Sequence, residues 1–442
     1  MKNCIFYIQE SEVEPLGAMY LIAKLKQLKW NVIIEFINGN KKIEEATINN
    51  DVNIALFSIV SGNHSFFLEL AKRYKDSGII SIIGGPYVTF FPDGLEIYAD
   101  YCVIGDGVSA IEKILENNNK IKKGIIKSSE INVSQYDLPD REELYKYDFK
   151  RNQKIKNIIA SSGCPFSCSF CYNNLYKKLY SEKVHIRSVD SIISEAKQIK
   201  FLGKTEMIFF QDDNFMFSMS WMKEFKTKWK EYIDLPFHCQ IRLDSINDEK
   251  LNILKSAGCT GVSVGIECAN ESYRINYLNR KLSNYKIIEK CNLIKSKGLK
   301  LRAYVMIGLP FTTIDDDLDT LSFIHNIQPT SVRSAIYYPL KGTVLGNSCY
   351  ESNLISIDRV KSIEKLPFNN LSVLNFNNDR LTQIQFLQKL FQLFVFIPEP
   401  VKLFKSIFEN SKDISSNDMN INNIADFSEF LKRHLYDNIL YA

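Results

Sequence analysis

Cys164, Cys168 and Cys171 lie in the stretch Ser161-Ser162-Gly163-Cys164-Pro165-Phe166-Ser167-Cys168-Ser169-Phe170-Cys171-Tyr172, separated by three residues and then two. Cysteines this closely spaced can wrap their thiolates around one [4Fe-4S] cube. A fourth cysteine would close the cube for electron transfer alone, and none lies nearby in the sequence. One iron is thereby left to bind something other than protein. A zinc reading stays open beside this one, because His185 would complete a Cys3His set and structural zinc takes four ligands. Disulfides are disfavoured: the chain has 10 cysteines in 442 residues with no framework-like spacing, which suggests a reducing compartment. Cys4, Cys102, Cys239, Cys259, Cys268, Cys291 and Cys349 are scattered, mostly in apolar runs, where a free cysteine behaves as a small hydrophobe.

The cysteine loop follows the apolar run 155–160, the first strand of an alternating series that continues at 207–210, 237–241, 261–265, 301–307 and 332–338 with helical segments between. Six such β-α units make an incomplete barrel with its site at the C-terminal strand ends. An earlier series reads as strands at 3–8, 31–36, 53–60, 79–83 and 101–104, with helices over 16–29 and 65–75. This alternation builds a parallel sheet covered by helices on both faces. Ligands of such sheets bind beyond the carboxyl ends of the strands, where 58–61, Gly84-Gly85-Pro86 and Gly105-Asp106-Gly107 fall. The expected organisation is α/β: a Rossmann-like domain over 1–125, a linker over 126–152 with the turn Asp137-Leu138-Pro139-Asp140, a partial (β/α)6 barrel over 153–345, and a helical region over 346–442. Within that last region 383–396 and 427–436 are the clearest amphipathic stretches, separated by a polar loop over 410–423. They are expected to cap the mouth of the barrel and shape its pocket.

Composition removes other classes. A net charge of +4 with 24% charged residues and no basic stripe with interleaved aromatics argues against nucleic acid. No apolar run approaches the roughly 20 residues that span a bilayer, and the N-terminus enters a strand without a charged leader, so a cytoplasmic protein is expected. The apolar segment 386–397 carries Gln388, Lys389 and Gln392 and reads as a core-packing helix, not a membrane contact.

Residues 1–125 resemble the cobalamin-binding Rossmann domain that stands in front of many radical S-adenosylmethionine (SAM) enzymes. Four stretches carry the resemblance: Glu14-Pro15-Leu16-Gly17-Ala18-Met19-Tyr20-Leu21, Ser58-Ile59-Val60-Ser61, Ile83-Gly84-Gly85-Pro86-Tyr87-Val88-Thr89-Phe90-Phe91-Pro92, and 100–107. The resemblance assigns cobalamin contacts to Leu16, Ser58, Val60, Ser61, Gly84, Gly85, Pro86, Thr89, Gly105 and Gly107. The loop 9–14 lacks the histidine that better-known cobalamin modules supply to cobalt. His64, after the third strand, reads as a surface or helix-start residue, and cobalt is expected without a protein imidazole.

The barrel is similar to radical SAM domains of the cobalamin-linked, class B methylase-like subgroup. Beside the cysteine signature, Phe209-Phe210-Gln211-Asp212-Asp213-Asn214-Phe215, Gln240-Ile241-Arg242, Gly265-Ile266-Glu267, Leu278-Asn279-Arg280, Met306-Ile307-Gly308-Leu309-Pro310 and Tyr338-Pro339-Leu340-Lys341-Gly342-Thr343 fall at successive strand ends. Phe311-Thr312-Thr313 replaces the family's Gly-Glu-Thr. The resemblance, over 1–345, implies that Phe170 packs the adenine and that Gln240 contacts SAM. Asp212 and Asp213 would accept from the methionine ammonium, unless they merely begin a helix. Arg242 or Arg280 would pair with the carboxylate, surface ion pairs being the bland alternative. Glu267 would bind ribose hydroxyls or ammonium, and Gly308 would let backbone approach the nucleoside. The implied activity is cobalamin-dependent radical methylation of an unactivated carbon in a small-molecule or peptide substrate, with electrons from a flavodoxin- or ferredoxin-type donor and no nucleic acid or membrane partner. Cyclisation or rearrangement without methyl transfer, and a zinc-stabilised cobalamin- or nucleotide-sensing regulator, are the alternatives.

Overall fold

The computed structural model describes residues 2–38, 43–116, 121–363 and 371–410. The expected helix at 427–436, and the polar loop from 411 onward, lie outside the described residues. The rest falls into two compact units, one within 1–165, 176–238 and 361–368, the other within 166–175, 239–360 and 369–442.

The first unit opens with β1 (Lys2–Gln9), β2 (Trp30–Ile37), β3 (Ile54–Ser58), β4 (Ile80–Gly84), β5 (Tyr101–Ile104) and β6 (Gly124–Lys127). They form one parallel sheet in the order β2-β1-β3-β4-β5-β6. Alternate side chains leave opposite faces, so Tyr7 and Phe57 pack with Tyr74 on one side while Phe6, Leu56 and Val103 pack with Ile22 on the other. Two covered faces explain why these strands read as unbroken apolar runs. The order reverses between β1 and β3, which makes that crevice the natural ligand position.

The second series comprises β7 (Ile155–Ile158), a short antiparallel pair β8 (Ser161–Ser162) with β9 (His185–Ile186), then β10 (Met207–Phe210), β11 (Phe237–Ile241), β12 (Cys259–Glu267), β13 (Lys300–Ile307) and β14 (Ser331–Ile336). The sheet order β14-β13-β12-β11-β10-β7 follows the sequence, as in an open half-barrel of β-α repeats. Ser188, Ser218, Asn247, Asn270 and Ser283 cap the intervening helices with their side chains, satisfying first-turn N–H groups. The strand expected at 261–265 extends over Cys259–Glu267 and carries a bulge between Gly265 and Glu267.

The helix Asn378–Val395 covers β14 and the helix Ile314–Ile327. Phe386, Leu387, Leu390, Phe391 and Phe394 are buried on it, so the apolar segment is core packing. No helix among the described residues is long and apolar enough to cross a membrane.

Candidate iron-sulfur and cofactor site

Gly163 enters the cysteine loop at φ +87°, and a Cβ there would lie 2.7 Å from the Lys183 carbonyl oxygen; glycine is required by that close approach. Cys164 belongs to the first unit, and Cys168 and Cys171 to the second. All three are free thiols; Cys164 and Cys168 are buried and Cys171 half-buried. Cys171 N–H donates to the Cys168 carbonyl at 3.2 Å, Ser169 N–H to that of Leu278 at 3.2 Å, and Leu345 N–H to that of Ser169 at 3.0 Å. Asn279 Nδ2 donates to the Ser167 carbonyl at 2.7 Å. The loop is thus pinned from several sides by neighbouring backbone. Phe170, half-buried, packs against a core that includes Cys268, Tyr273, Leu278 and Leu309.

Among the described residues, no three His, Cys, Asp or Glu side chains converge to hold a single metal ion. His185 Nε2 stands 3.0 Å from Glu130 Oε1. A cube presents a separate iron to each thiolate, and three soft sulfur donors suit iron-sulfur ligation, so the donor set fits a cluster.

Around Cys168 the second unit assembles a charged group. Arg242 Nη1–H donates to Cys168 Sγ at 2.8 Å, while Nε and Nη2 donate to the two Asp244 oxygens at 2.9 and 2.5 Å. The guanidinium lies 3.8 Å over the Phe166 ring. Burial raises the Asp244 pKa, but Arg242 and then Arg280 overcome that and hold it below the ordinary value. The bulge turns Glu267 to φ +74°, a region costly for a side-chain-bearing residue. Its carboxylate accepts from Arg280 Nη1 at 2.8 Å, and Arg280 Nη2 donates to the Gly265 carbonyl at 2.6 Å. A Cβ on Gly265 would collide with Glu267 Oε1, so glycine makes room for the curled carboxylate. Burial pushes the Glu267 pKa up, against Arg280 and Arg242. Cys168, Arg242, Asp244, Glu267 and Arg280 are therefore brought together. Asp244 escaped the sequence reading; the signal was its place two residues beyond Arg242.

Asp212 is placed differently from either expectation. It is fully buried, both oxygens accept from Ala160 N–H at 3.1 Å, and Oδ1 accepts from Ser161 Oγ at 2.5 Å. Neither oxygen begins a helix, since the helix Met219–Tyr232 is capped by Ser218. Burial pushes the Asp212 pKa up to about 7. Asp213 beside it is exposed, and Gln240 is half-buried on β11. Gly308, at φ +65°, donates its N–H to the buried Asp317 Oδ1 at 3.0 Å. A Cβ there would meet Ile384 Cδ1 at 3.0 Å, so the side on which a ligand was expected is covered by the helix Asn378–Val395.

In the first sheet, Ser58, Gly84, Gly85, Pro86, Thr89, Gly105 and Gly107 gather at or just beyond the carboxyl ends of β3, β4 and β5. Ile59 N–H donates to the Gly84 carbonyl at 2.9 Å and Tyr87 N–H to that of Ile59 at 3.1 Å. Gly85 has φ +97°, and a Cβ would meet the Ile59 oxygen at 2.8 Å. Thr89 Oγ1 accepts from Gly105 N–H at 3.1 Å. These residues knit the strand ends to one another, while Val60 is exposed, Ser61 half-buried, and nothing stands near a Cβ on Gly107. The rim is rich in glycine backbone, which suits close approach of a flat ligand, but Gly105 is covered by the Tyr180 hydroxyl. Leu16 packs instead toward Met19, Leu144 and Tyr145. His64 stacks on Tyr87 with centroids 4.2 Å apart.

The sequence reading missed a buried ionic network in the first unit. Arg141 donates to Glu14 Oε2 at 2.7 Å, to the Asn157 carbonyl at 2.5 Å and to Glu195; Arg187 also reaches Glu195 and meets Tyr20 OH at 3.1 Å. Its members are far apart in sequence, and only Glu14 and Tyr20 carried a family signal.

The family model for the radical SAM superfamily matches residues 158–324, and that for the B12 binding domain matches 9–115. An uncharacterized methyltransferase of Pyrococcus horikoshii is 24% identical over 77% of this chain and 77% of its own length. A bacteriochlorophyllide d C-8(2)-methyltransferase of Chlorobaculum tepidum is 25% identical over 66% of each chain. A hopanoid C-2 methylase of Rhodopseudomonas palustris is 24% identical over 71% of this chain and 60% of its own. Among solved structures, the cobalamin-dependent SAM radical enzyme OxsB, holding aqua-cobalamin and SAM, has a TM-score of 0.68 at 14% identity, covering 98% of this chain and 75% of that one. The radical SAM methyltransferase TsrM from Kitasatospora setae has a TM-score of 0.61 at 13% identity, covering 80% and 78%. At these identities the likeness is one of fold.

Proposed function

We propose that this chain, which matches the radical SAM superfamily over 158–324 and the B12 binding domain over 9–115, is a cobalamin-dependent radical SAM enzyme that methylates an unactivated carbon of a small-molecule or peptide substrate. The observation that carries this reading is a loop with three thiols and no fourth, in a chain that also holds a B12-binding domain. When bound, the cluster supplies an electron to SAM from an external reductant and cobalamin supplies a carrier for the methyl group. Cys164, Cys168 and Cys171 would hold the cluster. The strand-end rim from Ser58 to Gly107, with exposed Val60, would hold the corrin without an imidazole from the loop 9–14.

The protein's own part is to orient these groups and keep water out. Asp212 ties the end of β10 to the end of β7, which feeds the cysteine loop, and so fixes that loop's origin. With its oxygens committed, the methionine ammonium falls to Glu267. Arg242 is committed to Cys168 and Asp244, so the carboxylate is assigned to Arg280, which also pairs with Glu267 against the burial that raises its pKa. Phe170 and Gln240 would line the nucleoside side. The names of the chlorophyllide and hopanoid methylases support carbon as the methyl acceptor.

Anaerobic reconstitution with iron, sulfide and cobalamin, followed by SAM and reductant, tests the reading. Retained cobalamin with both 5′-deoxyadenosine and S-adenosylhomocysteine is expected. Zinc with no brown chromophore would overturn it, and deoxyadenosine without S-adenosylhomocysteine would remove methyl transfer while leaving radical chemistry. Cys168→Ala is expected to abolish the iron-sulfur absorbance and deoxyadenosine formation together.

A further inference from the structure

Arg242 has its donors divided in an unusual way. A guanidinium is a rigid planar fork of five N–H groups. Here Nε and Nη2 face the two oxygens of Asp244 and the plane is covered by Phe166. That leaves Nη1, which meets the Cys168 sulfur at 2.8 Å. Arg242 is 8% exposed, so water screens this contact little. The residue stands at a cysteine proposed to ligate a cluster, yet its own family role was expected to be a salt bridge to SAM.

We propose that Arg242 sets the reduction potential of the cluster by hydrogen bonding to the Cys168 thiolate, and that Asp244 aims Arg242 and offsets its charge. This rests on the cluster assignment above. Hydrogen bonds to sulfur are a principal control of cluster potential. Reduction takes one electron from the external donor, breaks no bond and moves no proton, since the guanidinium stays charged in both states. The added negative charge sits better beside a donor and a cation, so Arg242 favours the reduced state. Asp244 acts in the opposite sense, and the pair holds the potential between the two extremes. Arg242 is thereby a tuning residue working through Cys168, and its removal acts before SAM arrives.

The prediction has a sign that a loosened loop would not reproduce. Arg242→Gln leaves Asp244 uncompensated and lowers the potential; Asp244→Asn leaves Arg242 uncompensated and raises it. Each full-length, reconstituted protein is titrated electrochemically without SAM, with the reduced cluster followed by electron paramagnetic resonance. Opposite shifts are expected, each of at least tenfold in the reduction equilibrium, or about 59 mV for one electron. Shifts of the same sign, or both potentials within threefold of the unsubstituted protein, overturn the proposal. An unchanged potential with weakened SAM binding in Arg242→Gln overturns it in favour of a carboxylate ligand. If Arg242→Gln takes up no cluster, the upward shift of Asp244→Asn decides alone. An unsubstituted protein that takes up no [4Fe-4S] cluster overturns the functional reading itself, a result distinct from a cluster whose potential ignores both substitutions.

Discussion

Asp212 shows what one buried carboxylate does to the pH response. Its pKa stands at 3.8 in an open chain and is pushed up to about 7 in the fold by burial. Between those values the folded protein holds the proton more tightly than the unfolded one. The stability this group contributes is therefore fully present below about pH 4 and lost as pH rises through 7. Each group of this kind gives a slope of up to about 1.4 kcal/mol per pH unit across that window. Asp212→Asn is expected to flatten the fall in unfolding free energy between pH 5 and pH 7, measured by urea titration at several pH values; an unchanged slope would show that the carboxylate is ionised throughout. The same residues show how far chemistry was legible. Three cysteines at fixed spacing announce themselves, because ligation depends on residue type and separation. Adjacent Asp212 and Asp213 read alike in sequence, yet one turns inward to Ala160 and Ser161 while the other is exposed. Orientation is set by the pleat and by what lies beneath the strand end, and neither is written in a dipeptide.

At the scale of elements, the helix Asn378–Val395 does more than cap. Arg380, over the Phe376 ring at 4.3 Å, donates to the Thr312 carbonyl and to Thr312 Oγ1 at 3.1 Å. Its Nη2 lies 3.5 Å from Asp317 Oδ2, the residue that accepts from Gly308 N–H. The turn after β13 is thus held from the C-terminal region, by Arg380 on one side and Ile384 against Gly308 on the other. Burial pushes the Asp317 pKa up to about 7 despite Arg380. Arg380→Ala strands a buried carboxylate and two further acceptors, at a cost of about 2–4 kcal/mol. The double substitution with Asp317→Asn should cost less than the sum, because the charge left unpaired is then gone. Urea unfolding of both single variants and the double closes the cycle, and strict additivity would show the two side chains to be independent. Helical periodicity located this element within a few residues, since an apolar stripe depends only on local spacing. Its target did not show in the sequence. Gly308 carried the family's signature for a nucleoside contact, and the helix lies against the glycine's open side.

At the scale of the whole molecule, the repeating strands and helices were legible because both sheets are parallel, so apolar strand runs recur with regular helical punctuation, longest in the first sheet, which is covered on both faces. The packing that unites separate runs was not. A front domain ending near 125 is the natural reading of composition, yet one compact unit contains both the B12-binding sheet and β7 through β10. Within it, Arg141 joins Glu14, just after β1, to Glu195, on the helix Val189–Leu202. Glu14 also accepts from Tyr145 OH at 2.8 Å and from Asn157 N–H at 2.7 Å. Arg141, Glu14 and Glu195 all have fully buried side chains. Breaking such a network from one side leaves charges that water cannot reach, so Arg141→Leu is expected to cost about 3–5 kcal/mol. A surface tie between independent domains would instead be worth under about 1 kcal/mol. Chemical unfolding of Arg141→Leu separates the two cases, and limited proteolysis gives the structural counterpart. If the network joins sheet to half-barrel, the variant is cut faster around the 126–152 segment while the unsubstituted protein resists. Equal resistance in both would show that the sheet of β1 to β6 keeps its place without the network, held by apolar packing alone.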